Sequence, residues 1–140
     1  MLVFAQSETD KCNLINVYID SSSQLLVNDT LIDITNLRSK IKDFLDIRLS
    51  ERQECPEKHF EDIPGLGIIK INKKAMVTIK AEKSALYRVY VQVQKELLQA
   101  FRDLRNELSI ERFEKTFDNC SEEEQKAIEK VYPLAISVTQ

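Results

Sequence analysis

The sequence predicts an α+β fold, a two-layer sandwich in which a small mixed sheet carries its helices on one face. Two patterns lead there. Residues 84–108 hold Leu86, Tyr90, Val93, Leu97, Phe101, Leu104 and Leu108 at steps of three or four, a spacing that 3.6 residues per turn brings back to one side of a helix. Residues 13–20 and 75–80 alternate instead, with Ile15, Val17 and Ile19 in the first and Val77 and Ile79 in the second. That is the period of a strand with one buried side, and β-branched residues suit it. A helix over 84–108 would run roughly 37 Å at about 1.5 Å per residue. Its single apolar stripe needs a broad partner, and a sheet provides one.

Size and composition narrow the class. At 140 residues, 43% hydrophobic and 31% charged, the chain has the size and mix of one globular domain with a real core. A net charge of −3 with both signs interspersed offers no basic stripe for nucleic acid. No apolar run approaches the roughly 20 residues that span a bilayer. Residues 1–12 are expected to be an N-terminal tail, the start Met-Leu-Val-Phe-Ala being either the trimmed end of a longer membrane or export segment or simply a tail. Cys12, Cys55 and Cys120 are widely spaced and odd in number. They set no disulfide framework; a single bridge or three buried, idle thiols both fit.

Taken in order, the domain covers 13–140. The first strand, Asn13–Asp20, is punctuated by Ser21, Ser22 and Ser23, and Gln24–Val27 returns as its antiparallel partner. Asn28-Asp29 is turn chemistry, since both side chains bond to nearby backbone and tolerate unusual dihedrals. Asp33 is placed to cap a helix, with Ile32 and Leu37 spaced as a hydrophobic staple. Leu37, Ile41, Phe44 and Leu45 then mark a helix to about Ile47. Residues 48–75 hold both glycines and two of the three prolines, and are expected to be an inserted, partly flexible loop of the kind that is often functional. Within it Ile63, Leu66, Ile68, Ile69 and Ile71 suggest a brief strand or a clip onto the sheet. Strand 75–80 leads into the long helix, with Ser84 as its expected N-cap. Asn106–Phe117 is expected to break the stripe. Ser121-Glu122-Glu123-Glu124 has the spacing of a capping box, Ala127, Ile128 and Val131 give that helix its apolar side, and Pro133 ends it. Ala135–Thr139 closes the chain as a strand with Ile136 and Val138 on one face.

Reaction chemistry is hard to find. Cys55 and His59 lie four apart in the inserted loop, but two ligands do not close a zinc site, which usually takes about four. With a single histidine no Ser/His/Asp or Cys/His arrangement can be assembled. The run Glu122–Glu124 is explained by helix capping and the helix dipole, and Glu111–Lys115 and Glu122–Lys126 by i,i+4 pairing. Gly65 and Gly67 are the chain's only glycines, which excludes the usual phosphate-cradling loops. Tyr87, Tyr90 and Phe101 are expected in the core. No catalytic residue, metal or cofactor is assigned, and the chain is expected not to be an enzyme.

Several stretches together resemble the periplasmic domain of the ExbD/TolR family in its Bacteroidetes-type form. They are Ile15-Asn16-Val17, Leu25 to Asp29, Ile32 to Arg38, Val77 to Lys80, Tyr87 to Arg105, Phe113-Glu114-Lys115, Ser121 to Glu124, and Ile128 to Pro133 ahead of Ile136-Ser137. The resemblance spans roughly 13–138 and lies in order and spacing. It implies a sheet with helices on one side, and a non-enzymatic periplasmic part of a single-pass inner-membrane protein. That protein would belong to a proton-motive-force-driven complex energising outer-membrane transport, with ExbB-like and TonB-like proteins as partners and a homodimer as its state. A TolR-like role in envelope maintenance is the family alternative. The family's proton-carrying aspartate sits in a transmembrane helix that this sequence does not contain, so no proton-pathway residue is carried over. A small enzyme with a thiol site at Cys55 is the alternative from another class.

An open sheet has edges whose unpaired amides and carbonyls accept another strand. The last strand is short, terminal and uncharged. Leu134, Ala135, Ile136, Ser137 and Val138 are therefore the expected partner-binding residues, against the plainer reading that they form an ordinary edge.

Overall fold

The computed structural model describes residues 13–47, 59–72 and 74–139. Seven strands and three α-helices follow in the order β1 (Leu14–Ile19), β2 (Leu25–Val27), β3 (Thr30–Ile32), α1 (Leu37–Leu45), β4 (His59–Ile63), β5 (Gly67–Ile71), β6 (Met76–Ala81), α2 (Tyr87–Phe113), α3 (Glu122–Val131) and β7 (Ile136–Thr139). The main sheet is mixed and ordered β3-β2-β1-β6-β7. β1 pairs antiparallel with β2 and parallel with β6, which in turn pairs parallel with β7. The chain is thus a mixed α and β fold built on a small mixed sheet.

Alternation decides which face of the sheet is covered. Ile15, Val17 and Ile19 of β1, Leu25 and Val27 of β2, and Val77 and Ile79 of β6 are all buried. They pack with Leu37 and Ile41 of α1 and with Val93, Leu97, Ala100 and Phe101 of α2. Asn16, Met76 and Lys80, one step out of phase, are exposed on the opposite face. Each large apolar side chain so buried is worth about 1.5–3 kcal/mol relative to an exposed one.

The turns follow local chemistry. Asp20 Oδ1 accepts from the amides of Ser22 and Gln24 at 2.9 and 2.8 Å, closing β1 onto β2. Asn28 and Asp29 both take positive φ, 48° and 68°, the geometry of a two-residue type I′ hairpin. That turn creates β3, a strand absent from the expected order. Asp33 caps as expected, its carboxylate accepting from the Thr35 amide at 2.9 Å, though the first turn is a 3-10 turn, Ile34–Asn36, that runs into α1.

The inserted region departs from expectation. Residues 48–58 and 73, Cys55 among them, and Cys12 as well, lie outside the described residues. Residues 59–71 form a regular hairpin rather than a loop, with β4 and β5 paired to each other from His59↔Ile71 to Ile63↔Gly67. It does not clip onto the main sheet. Gly65 supplies the positive φ, 93°, that its three-residue turn needs, and Gly67, at 79°, does the same where β5 begins. The buried side, Ile63, Leu66, Ile69 and Ile71, meets Leu104 and Leu108 of α2 and Ala127, Ile128 and Val131 of α3 in a second core. So α3 covers the hairpin, whereas the expected arrangement gathered every helix against one sheet.

Both ends of α2 differ from expectation. Ser84 does not cap it. The N-cap is Leu86, whose amide is satisfied from a distance by Ser23 Oγ at 2.9 Å. The helix does not break at Asn106 but runs to Phe113, ending where Glu114 turns left-handed at φ 58°. The Ser121–Glu124 capping box forms in both directions. Lys115 extends it with an ion pair to Glu124 at 2.8 Å, and that hydrogen bond, with the Ser121 amide, holds the Glu124 carboxyl below its ordinary range.

Two outcomes are expected. Leu104→Ala, at a fully buried site of the second core, should cost about 2–5 kcal/mol in urea unfolding. A carboxyl whose folded pKa is depressed adds stability above its unfolded pKa and loses it as pH falls through the folded value. Glu124→Gln, which preserves the capping box, should therefore flatten the acid limb of stability against pH, as read from denaturant midpoints.

Candidate functional site

β7 is an edge strand of the main sheet. Its register, Val77↔Ile136 through Lys80↔Thr139, and the bond from the Val77 amide to the Ala135 carbonyl at 2.9 Å fix which way its backbone faces. Successive residues of a strand turn their N–H and C=O groups to opposite sides. Ala135 and Ser137 therefore bond inward to β6, and Ile136 and Val138 present theirs outward at the open edge.

The five residues expected to bind a partner fall together on this segment. Leu134 is 55% exposed and Val138 is 49% exposed. Ala135, Ile136 and Ser137 are half-buried, Ile136 against the sheet core. Val138 lies opposite Ile79, which has no exposed surface. Two side chains in one row of one face thus differ sharply in burial, Val138 standing near the C-terminal end of the edge strand.

The approach to β7 is firmly held. Tyr132 is buried, its hydroxyl accepts from the Ile47 amide at 3.3 Å, and its carbonyl accepts from Arg105 Nε at 2.9 Å. Burial pushes the Arg105 guanidinium down from its usual pKa, with Glu129 opposing the shift, and the same group lies 5.7 Å from the Phe117 ring centre. Pro133 then breaks α3 away from the strand.

The charged side chains of α2 have separate tasks. Glu96, Asp103 and Glu107 face α1. Arg38 binds Glu96 at 2.9 Å, and Lys42 binds Glu107 at 2.5 Å and Asp103 at 3.8 Å. The hydrogen bond to Glu96 raises the Arg38 pKa further. These pairs line an open groove between α1 and α2 that also includes Asp43 and Asp46. Partly exposed pairs of this kind add little stability singly, about 0–1 kcal/mol each.

Other singled-out residues lie elsewhere. His59 is exposed at the start of β4, while Cys120 is buried and free between α2 and α3. Among the described residues no three His, Cys, Asp or Glu side chains are grouped to hold a metal ion, and no helix is long and apolar enough to cross a membrane. Phe101 is buried and Tyr90 packs on the sheet core, but Tyr87 is exposed, contrary to its expected place in the core. A helix boundary displaced by three residues accounts for it, since Tyr87 opens α2 and has no preceding turn beside it. Sequence reasoning missed the surface around Tyr87 for the same reason. No protein-family model and no curated protein matches the chain significantly.

Proposed function

We propose that this chain is a non-enzymatic protein-interaction domain whose β7 edge receives an extended segment of a partner as an added strand. The observation that carries the proposal is the pairing of two properties in one short segment. Ile136 and Val138 turn backbone groups outward, and Leu134 and Val138 keep about half their surface in solvent. A visiting strand gains main-chain hydrogen bonds from the first property and side-chain burial from the second.

The family resemblance supplies the setting. In it, the domain is periplasmic, belongs to an ExbD/TolR-like single-pass inner-membrane protein, and works as a homodimer with ExbB-like and TonB-like partners. The complex draws on the proton-motive force to energise outer-membrane transport. The sheet with helices on one side that the resemblance implies is compatible with the mixed sheet, α1 and α2 described above. The inserted region 48–75, which includes the β4–β5 hairpin, departs from the family's common pattern. No observation favours the thiol enzyme, whose Cys55 lies outside the described residues.

The test uses variants that block the edge and spare the fold. Val138→Pro removes an outward amide without touching the ladder to β6, and deletion of 134–140 removes the edge. Both should abolish self-association in analytical ultracentrifugation and binding of a TonB-like periplasmic segment in calorimetry, with the circular dichroism of the sheet retained. If association and binding survive in both variants, the β7 assignment is wrong.

A further inference from the structure

α2 carries a second seam, separate from the face that builds the core. Tyr87, Val91, Gln94, Leu98, Phe101 and Arg105 follow one another at alternating steps of four and three, the spacing of a coiled-coil contact line. Two contacts fix where this line looks. The Glu96, Asp103 and Glu107 side of α2 meets α1, and the Arg105 side meets the Tyr132 carbonyl just ahead of β7. The seam therefore overlooks β7, on the side away from α1. Phe101 is buried at its base, but Tyr87 is 78% exposed and Leu98 is 37% exposed.

Helix-layer geometry explains the opening. Strands lie about 4.8 Å apart and packed helices about 8–10 Å apart, so one helix covers about two strands. α1 and α2 leave the outer strands of five without a full cover, and on β7 half-exposed Val138 shows it.

Charge says what fits there. Arg88, Lys95 and Arg102 recur every seven residues, each one position beyond a seam residue, so they line its solvent edge. All three are exposed and none makes an ion pair among the described residues. Between 84 and 106 the only acids are Glu96 and Asp103, both turned to α1. One flank of α2 spends its charge internally, and the other presents a uniformly basic row above an apolar line.

We propose that this flank of α2, with β7 as its floor, is the docking groove for an acidic amphipathic helix of a partner protein. Its apolar stripe would lie along Val91 and Leu98 and over Val138, and its carboxylates would reach Arg88, Lys95 and Arg102. A second copy of this chain is a poor occupant: α2 against α2 would oppose basic row to basic row, and the exposed positions of α1 and α3 mix both signs without an apolar row. A flat lipid surface meets the basic row but does not reach half-buried Ile136 below it. The groove differs from the β7 edge, since a docked helix makes no main-chain bonds there.

The test titrates the whole protein with a synthetic heptad-repeat helix, leucine at its contact positions and glutamate beside them. A lysine-flanked counterpart and vesicles of phosphatidylglycerol and phosphatidylcholine run in parallel. The glutamate peptide should bind, shift the amide resonances of Val91, Leu98 and Val138, and weaken with added salt. R88E/K95E/R102E should lower its affinity by about tenfold or more and make the lysine peptide the preferred ligand. K95E alone should give a partial loss, and thermal melts report whether each variant is folded. Shifts on Val91 and Leu98 of α2, lost together with binding in R88E/K95E/R102E, separate this groove from strand addition, which touches the β7 edge alone. Binding mapped elsewhere, binding indifferent to the charge reversal, or capture by the vesicles without capture by the peptide would each overturn the proposal.

Discussion

One helix face serves two cores, and everything else is placed by that constraint. Leu97 lies in the sheet core and Leu104 in the hairpin core, each without exposed surface. Seven residues are nearly two full turns, so the same stripe of α2 passes from one cluster into the next. The main sheet with α1 at one end, and the hairpin with α3 at the other, are held on a common spine. Leu45, at the end of α1, also packs on both clusters. Loosening α2 therefore opens both clusters, which favours cooperative unfolding of the described residues over piecemeal loss.

The same spine sorts the surface. Glu96, Asp103 and Glu107 are committed to Arg38 and Lys42, lining the groove between α1 and α2, while Arg88, Lys95 and Arg102 stay on the flank beside β7. Because α1 occupies one side only, the sheet ends on a strand that is paired along one edge and half covered on one face. Among the described residues this asymmetry gathers several chemical features in one place. It provides an unpaired backbone edge, an apolar ledge and a basic rim within one region.

Periodicity was the part of the fold most legible in the sequence. Alternation located β1, β6 and β7, and the step of three and four located α2, because each signal repeats over enough residues to outweigh local propensity. Short or remotely determined features were not legible. β3 is three residues long with two of them exposed, so it carries no period. Asn28-Asp29 carries a hairpin signal, but the three residues after it have no alternation to mark them as its second strand. Ser84 looked like a cap, yet the amide at the true helix start is satisfied by Ser23 from across the sheet, a pairing no local pattern reveals. The regular hairpin at 59–71 was hidden by its setting among glycines and prolines that read as loop. For the candidate site, the strand itself could be read from Ile136 and Val138. Its place at an edge was expected from its being short, terminal and uncharged, whereas its parallel pairing with β6 was not, since strand order is a property of pairing. The basic row was present in the spacing of Arg88, Lys95 and Arg102, but which side of α2 it bordered depended on the contacts of Glu96 and Arg105.

The parallel pairing of β7 with β6 has a mechanical corollary. Tension applied lengthwise to β7, or to a strand laid against it, shears all the rungs of the ladder at once, whereas a pull across the edge would unzip them singly. At its upstream end the strand is rooted in Tyr132, gripped through its carbonyl by Arg105 and through its hydroxyl near the end of α1. A tug on this edge is consequently handed to the long helix rather than dissipated in a slack terminus.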